Sequence, residues 1–166
     1  LGFLLGYVTG SRRTACPEGA TGWRRARYAF EAVNHHELAL ILLGVGIFLI
    51  SIDATNLTGL WTFVILWLMR QSAKLNIFLG VLNLNENFLP NHLKYLQTYF
   101  RRRPMNFLMP ISILGSFIFV VPLWGSALTS GVLPHEIVSS TILATLLSLA
   151  ILEHVLLVLP VQIEFL

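Results

Sequence analysis

The chain has 166 residues, 55% of them hydrophobic and only 11% charged, with a mean hydropathy of +0.74 and a formal net charge of +3. A soluble domain of this length carries about twice that share of charge, so the composition excludes an ordinary water-soluble globule and points to a membrane protein. The single cysteine, Cys16, excludes an intrachain disulfide.

In chain order, the chain starts without a Met, is apolar over Leu1–Val8, the end of a span over about 1–9, and carries Gly2, Gly6 and Gly10 at four-residue spacing. That small-residue pattern lets membrane helices approach closely, and the segment reads as the end of a helix in a fragment of a longer multi-pass protein. A loop over residues 11–35 holds Arg12, Arg13, Arg24, Arg25 and Arg27. The first complete span is expected over 36–52 and the second over 59–81, joined by a loop without Lys or Arg. A second basic loop, 83–103, begins with Asn83-Leu84-Asn85-Glu86-Asn87, a run that favours a shaped turn. In residues 90–103 a helix would place Leu93, Leu96, Tyr99 and Phe100 on one face, with Lys94, Gln97 and Arg101 toward water, the pattern of an interfacial amphipathic helix. Spans over 105–128 and 137–163 complete an all-α, multi-pass transmembrane bundle that forms a single membrane domain.

The loop cations fall only in alternate loops, so the positive-inside rule places 11–35 and 83–103 in the cytoplasm. The basic balance is then a topological signal that calls for no nucleic-acid partner. Lys94, Tyr99, Phe100, Arg101, Arg102 and Arg103 form a candidate docking surface for anionic lipid headgroups or an acidic partner.

Within the spans, Arg70 and Lys74 stand one turn apart in 59–81, where each costs roughly 2.5–3.5 kcal/mol at a helix centre. Depth at about 1.5 Å per residue brings them level with His36 and Glu37 of the first span and with Glu153 and His154 of the last. These six residues form a candidate buried polar cluster, with Glu153 paired to Arg70 or Lys74 as the favoured contact. A structural clamp, a proton or solute path, a metal site using Glu31, His35, His36 and Glu37, and pigment ligation by His154 all draw on such residues. The Glu-x-x-His spacing of diiron helices is absent, as are a nucleophile triad, a phosphate loop and a Cys-x-x-Cys pair, so no catalytic residue and no metal ligand is assigned.

The strings Gly19-Ala20-Thr21-Gly22-Trp23-Arg24-Arg25, His36-Glu37-Leu38-Ala39-Leu40, Leu60-Trp61-Thr62-Phe63 and Leu68-Met69-Arg70-Gln71-Ser72-Ala73-Lys74-Leu75-Asn76 resemble a known family. So do Asn83-Leu84-Asn85-Glu86, Tyr99-Phe100-Arg101-Arg102-Arg103-Pro104-Met105-Asn106 and Leu152-Glu153-His154 with Val158-Leu159-Pro160. Together they are similar to the photosynthetic complex assembly protein 2 family, the PuhE type, of purple phototrophic bacteria. The resemblance implies a multi-pass protein of the inner or intracytoplasmic photosynthetic membrane, with further spans before the first residue. It also implies reaction-centre and light-harvesting core subunits as partners, and an assembly or stabilising role. Contacts with bacteriochlorophyll, carotenoid, quinone or lipid are compatible with it. The alternative is a membrane enzyme or carrier that handles a bacteriochlorophyll precursor or quinone.

Overall fold

A computed structural model describes residues 13–84, 89–129, 131 and 133–159. Among the described residues four α-helices carry the architecture: α1 Gly22–Ser51, α2 Thr58–Leu79, α3 Leu108–Leu128 and α4 Pro134–Val158. A 3₁₀ helix, Asn91–Tyr99, lies in the long connection between α2 and α3. The described residues contain no strand, only one isolated parallel bridge between Val81 and Arg102, so the chain is all-α as the apolar spacing predicts.

Three of these helices, α1, α3 and α4, are long and apolar enough to cross a membrane. The fourth, α2, has the length, since 22 residues extend about 33 Å, but Arg70, Gln71, Lys74 and Asn76 dilute its apolar character. The expected loop over 11–35 is largely helical, because α1 starts at Gly22. From Trp23 to Leu43 the sequence has neither Gly nor Pro and is rich in Ala, Arg, Glu and Leu, so nothing interrupts the helix at the membrane edge. Helix α4 ends at Val158 with Leu159 extended, short of the expected 163; residues 160–163 lie outside the described residues, as do residues 1–10 with Gly2, Gly6 and Gly10.

Helix starts follow local chemistry. Asn56 Oδ1 accepts from the Thr58 amide at 2.9 Å and from its hydroxyl at 2.6 Å, which fixes the start of α2. At α4, Pro134 occupies the first turn with Glu136, favourable for ring geometry and for the helix dipole. Gly80 stops α2 at φ +125°, a conformation that suits glycine, and a Cβ there would lie 2.9 Å from Arg103 Cγ.

The helices alternate in direction. Arg25 meets Phe78, Glu37 meets Gln71 and Lys74, and Gly44 meets Phe63, so α1 and α2 run antiparallel. Thr58 bonds Ser139 and Ser72 meets His154, which makes α2 and α4 parallel. Consequently the start of α1, the end of α2, the start of α3 and the end of α4 share one end, where the 80–107 connection sits. Basic residues of both expected basic loops gather at that end.

The apolar core lies between α2, α3 and α4. Val120, Leu147 and Ile151 are buried, with Ile65, Met69, Ile113, Leu123 and Val155 packed against them. Buried Ala144 and Ala150 let α4 approach its neighbours closely. Outward faces carry Ile41, Phe48 and Ile50 on α1 and Leu114, Ile118 and Val121 on α3, all exposed, as suits helices solvated by lipid.

Helix α1 leans chiefly on α2, and Gly44 marks a close approach, since a Cβ there would lie 2.6 Å from Phe63 Cε1. Gly44→Leu is expected to lower stability by about 1–3 kcal/mol through overpacking, and Phe63→Ala in the same chain is expected to recover part of the loss. Thermal unfolding of the two single variants and the double variant in detergent checks the coupling.

Candidate functional site

The polar groups of α2 divide between two faces at helical spacing. Phe63, Gln71, Lys74 and Phe78 face α1, whereas Met69, Ser72 and Asn76 face α3 and α4, and Ala73 is buried on that same side. Each face carries its own set of partners.

On the α1 face, Glu37 accepts from Lys74 Nζ through one carboxylate oxygen and from Gln71 Nε2 through the other. The Lys74 partner is therefore Glu37, whereas the sequence favours Glu153. Glu153 is exposed on α4, and so are Arg70 on α2 and His36 on α1, so these three do not join the cluster. The cause is rotational: level depth is set by residue count, but a step of one or two positions turns a side chain by 100° or 200° around the helix. His36 instead stacks against His35, ring centroids 4.0 Å apart. Among the described residues, no three His, Cys, Asp or Glu side chains gather into a set that could hold a metal ion.

On the opposite face the sequence reading finds only His154, and the structure adds a hydrogen-bonded seam of small polar residues. His154 is 0% exposed; its Nδ1 lies 2.8 Å from the Ala150 carbonyl and its Nε2 2.9 Å from Ser72 Oγ. A carbonyl only accepts, so Nδ1 carries the proton, and in the neutral ring Nε2 accepts from the Ser72 hydroxyl. The hydroxyls of Ser72 and Ser112 lie 2.8 Å apart. Asn76, also 0% exposed, donates through Nδ2 to the Ser72 carbonyl at 3.0 Å and to Ser112 Oγ at 3.2 Å. Ser116 extends the seam by donating to the Ser112 carbonyl at 2.7 Å and lies 3.3 Å from Met69 Sδ. With both ring nitrogens engaged, His154 has no lone pair free for the magnesium of a pigment; it is a helix-packing residue.

At the basic end, side chains satisfy carbonyls that helix termini leave open. Asn106 donates to the Asn76 carbonyl at 3.2 Å and the Gly80 carbonyl at 2.9 Å, while its Oδ1 accepts from the amides of Leu108 and Met109 at 2.9 and 3.1 Å. One amide thus closes α2 and opens α3. Asn83 donates to the carbonyls of Leu156 and Leu159 and its own amide reaches the Leu157 carbonyl, which closes α4. Arg25, only 5% exposed, donates to the carbonyls of Phe78 and Tyr99 and lies 4.3 Å over the Phe78 ring. It is an internal tie and is withdrawn from the basic surface.

The expected amphipathic helix is present as a 3₁₀ helix over Asn91–Tyr99. Three residues per turn align Leu93, Leu96 and Tyr99, which explains why Phe100 leaves that row. Tyr99 is 3% exposed and donates to the Thr14 carbonyl at 3.0 Å, so it is a buried fastener and is withdrawn from the docking surface. Lys94, Arg102 and Arg103 are exposed, and Arg101 and Phe100 are half-buried. The backbone beneath them is fixed: the Val81 amide donates to the Arg101 carbonyl and the Arg103 amide to the Val81 carbonyl, both at 3.2 Å.

At the other end an open cleft of about 770 Å³ lies between the α1–α2 turn and the ends of α3 and α4, lined by Asn56, Trp61, Pro122, Glu136 and Ser139 among others. Its lining carries no Lys or Arg among the described residues.

A family model described as a protein of unknown function, DUF3623, matches residues 1–166. The chain belongs to the DUF3623 family. It is 38% identical over 160 residues to an uncharacterized 30.4 kDa protein in the puhA 5′ region of Rhodobacter capsulatus, a match that covers 96% of this chain. The chain spans 58% of that relative's length. No solved structure matches it.

Two outcomes test the site. In a double-mutant cycle, Lys74→Met and Glu37→Gln are expected to couple by about 1–3 kcal/mol, the single Lys74→Met variant being the worse because it strands a half-buried carboxylate. His154→Leu is expected to cost about 1–3 kcal/mol by leaving Ser72 and its neighbours unpaired, and Ser72→Ala less; unfolding midpoints in detergent read both.

Proposed function

We propose that this DUF3623 chain is part of a non-enzymatic assembly or stabilising factor, or an accessory subunit, of the photosynthetic reaction-centre and light-harvesting core. The observation that carries the reading is the 38% identical relative in the puhA 5′ region, a location consistent with a photosynthesis gene cluster. The resemblance to the photosynthetic complex assembly protein 2 family agrees with it. In this reading the protein lies in the bacterial inner or intracytoplasmic membrane, with its basic end in the cytoplasm.

The geometry supports a structural part in preference to a chemical one. Glu37, Lys74, Gln71, Ser72, Ser112 and His154 direct their hydrogen-bonding capacity at one another, which fixes helix register and leaves little for a substrate. A carrier or enzyme acting on a bacteriochlorophyll precursor or quinone at this cluster would need groups turned toward an opening, and His154 is fully buried. The docking surface in this reading is the rigid basic strip at residues 101–103, whose backbone is tied to Val81 while Arg102 and Arg103 stand exposed. Its partners are acidic segments of core subunits and anionic lipid.

Replacing Arg101, Arg102 and Arg103 with Gln is expected to lower the amount of assembled core complex severalfold while membrane insertion and protein level stay unchanged. Native gels and membrane absorbance spectra of a complemented deletion strain measure this. Unaltered complex levels in the deletion strain itself would remove the assembly reading.

A further inference from the structure

Arg70 is the one cation of α2 that the seams leave out. It sits twelve positions after Thr58 and nine before Leu79, about 18 Å from one end of the helix and about 14 Å from the other. Its side chain is exposed on a flank between the α1 face and the α3/α4 face, above Leu66, which is also exposed. No carboxylate among the described residues is placed to serve it: both oxygens of Glu37 are engaged by Gln71 and Lys74, and Asp53 and Glu136 lie toward the far end of the bundle. Glu153, also outward, stands level with Arg70, one position before the His154 that meets Ser72, but Arg70 is turned about 200° from Ser72 around α2 and so faces away from α4.

A guanidinium facing outward at mid-depth has two ways to be neutralised, a lipid phosphate or an anionic group at the same depth. Helical Cα–Cβ bonds tilt toward the helix N-terminus, and α2 runs toward the basic end. Arg70 is therefore aimed away from the nearer surface and toward the one about 18 Å distant, which disfavours reaching phosphates by snorkelling. The neighbouring α1 and α3 contribute no free carboxylate at that level.

The geometry points to Arg70 as an intramembrane docking residue that receives an Asp or Glu carboxylate from a membrane-spanning helix of a partner subunit. Arginine suits the role because its planar fork binds a carboxylate through two parallel hydrogen bonds and stays charged in a low-dielectric setting. The partner helix would lie along the Leu66–Arg70 flank of α2, its carboxylate near the middle of the bilayer. This inference rests on the reading of the protein as a core-complex factor and names the chemistry of the contact.

The test uses the tagged full-length protein, solubilised from membranes of the phototrophic host, with wild type, Arg70→Met and Arg70→Lys compared. The outcome expected is a loss of copurified reaction-centre core of about tenfold or more in Arg70→Met, partial retention in Arg70→Lys, and unfolding midpoints no lower than wild type. A photo-crosslinking residue at Leu66, with Arg70 intact, is expected to label a core-subunit helix within one turn of an Asp or Glu. Equal core recovery from wild type and Arg70→Met overturns the inference, as does crosslinking confined to lipid. Absence of core from the wild-type preparation instead overturns the functional reading, so the two failures are distinct.

Discussion

The constraint that organises this molecule is the presence of a polar helix among apolar ones. Helix α2 carries Arg70, Gln71, Ser72, Lys74 and Asn76 within seven residues, and it is held alongside α1 and α4, both apolar enough to cross a membrane. In hydrocarbon each unmatched polar group costs several kcal/mol, so the neighbours have to supply partners. They do so on two faces at once for Gln71, Ser72, Lys74 and the Asn76 Nδ2, whereas the Asn76 Oδ1 and the Trp67 Nε1 are buried without a partner. Glu37 neutralises Lys74 and holds Gln71 on one side, and Ser112 with His154 meets Ser72 and Asn76 on the other. Both contacts are short-range and directional, and they set the rotation and height of α2 against three helices whose apolar surfaces alone would permit sliding.

The same economy governs the basic end. The carbonyls that close α2 and α4 meet Asn106, Asn83 and Arg25, side chains drawn from outside the helices they cap. Tyr99 and Val81 fasten the 3₁₀ helix and the 101–103 strip onto this platform. The described part of the long connection is thereby held against the helix ends, with the basic side chains of Arg102 and Arg103 displayed on it.

Much of this fold is legible from hydropathy. Apolar length marks α1, α3 and α4, and the spacing of Leu93, Leu96 and Tyr99 marks a helix at the surface. The partner of Lys74 is not legible, because Glu37 and Glu153 stand at similar depth and only the rotation of each helix separates them. Nor do Ser72, Ser112, Asn76 and Asn106 stand out, since a serine or asparagine within an apolar run has the same appearance whether it is solvated, capping or buried. A usable signal does exist at Ser72 and Asn76, four positions apart on the side of α2 opposite Lys74 and one turn of a membrane helix deep. Arg25 misleads in the other direction: it counts as a basic-loop cation in the sequence, yet folding turns it inward onto two carbonyls and a ring.

The sequence expects α2 to cross the membrane, and these contacts hold it beside α1 and α4, which are long and apolar enough to do so. Spin labels placed singly along residues 60–79 of the protein in lipid vesicles, in a Cys16→Ser background, test that placement most directly. The account predicts that oxygen, which dissolves in lipid, reaches labels at 61, 68 and 75, that labels at 69, 73 and 76 are shielded from both oxygen and a water-soluble relaxation agent, and that the pattern repeats with helical period. Access of the water-soluble agent along one whole face of α2 would place the helix at the membrane surface and contradict the account.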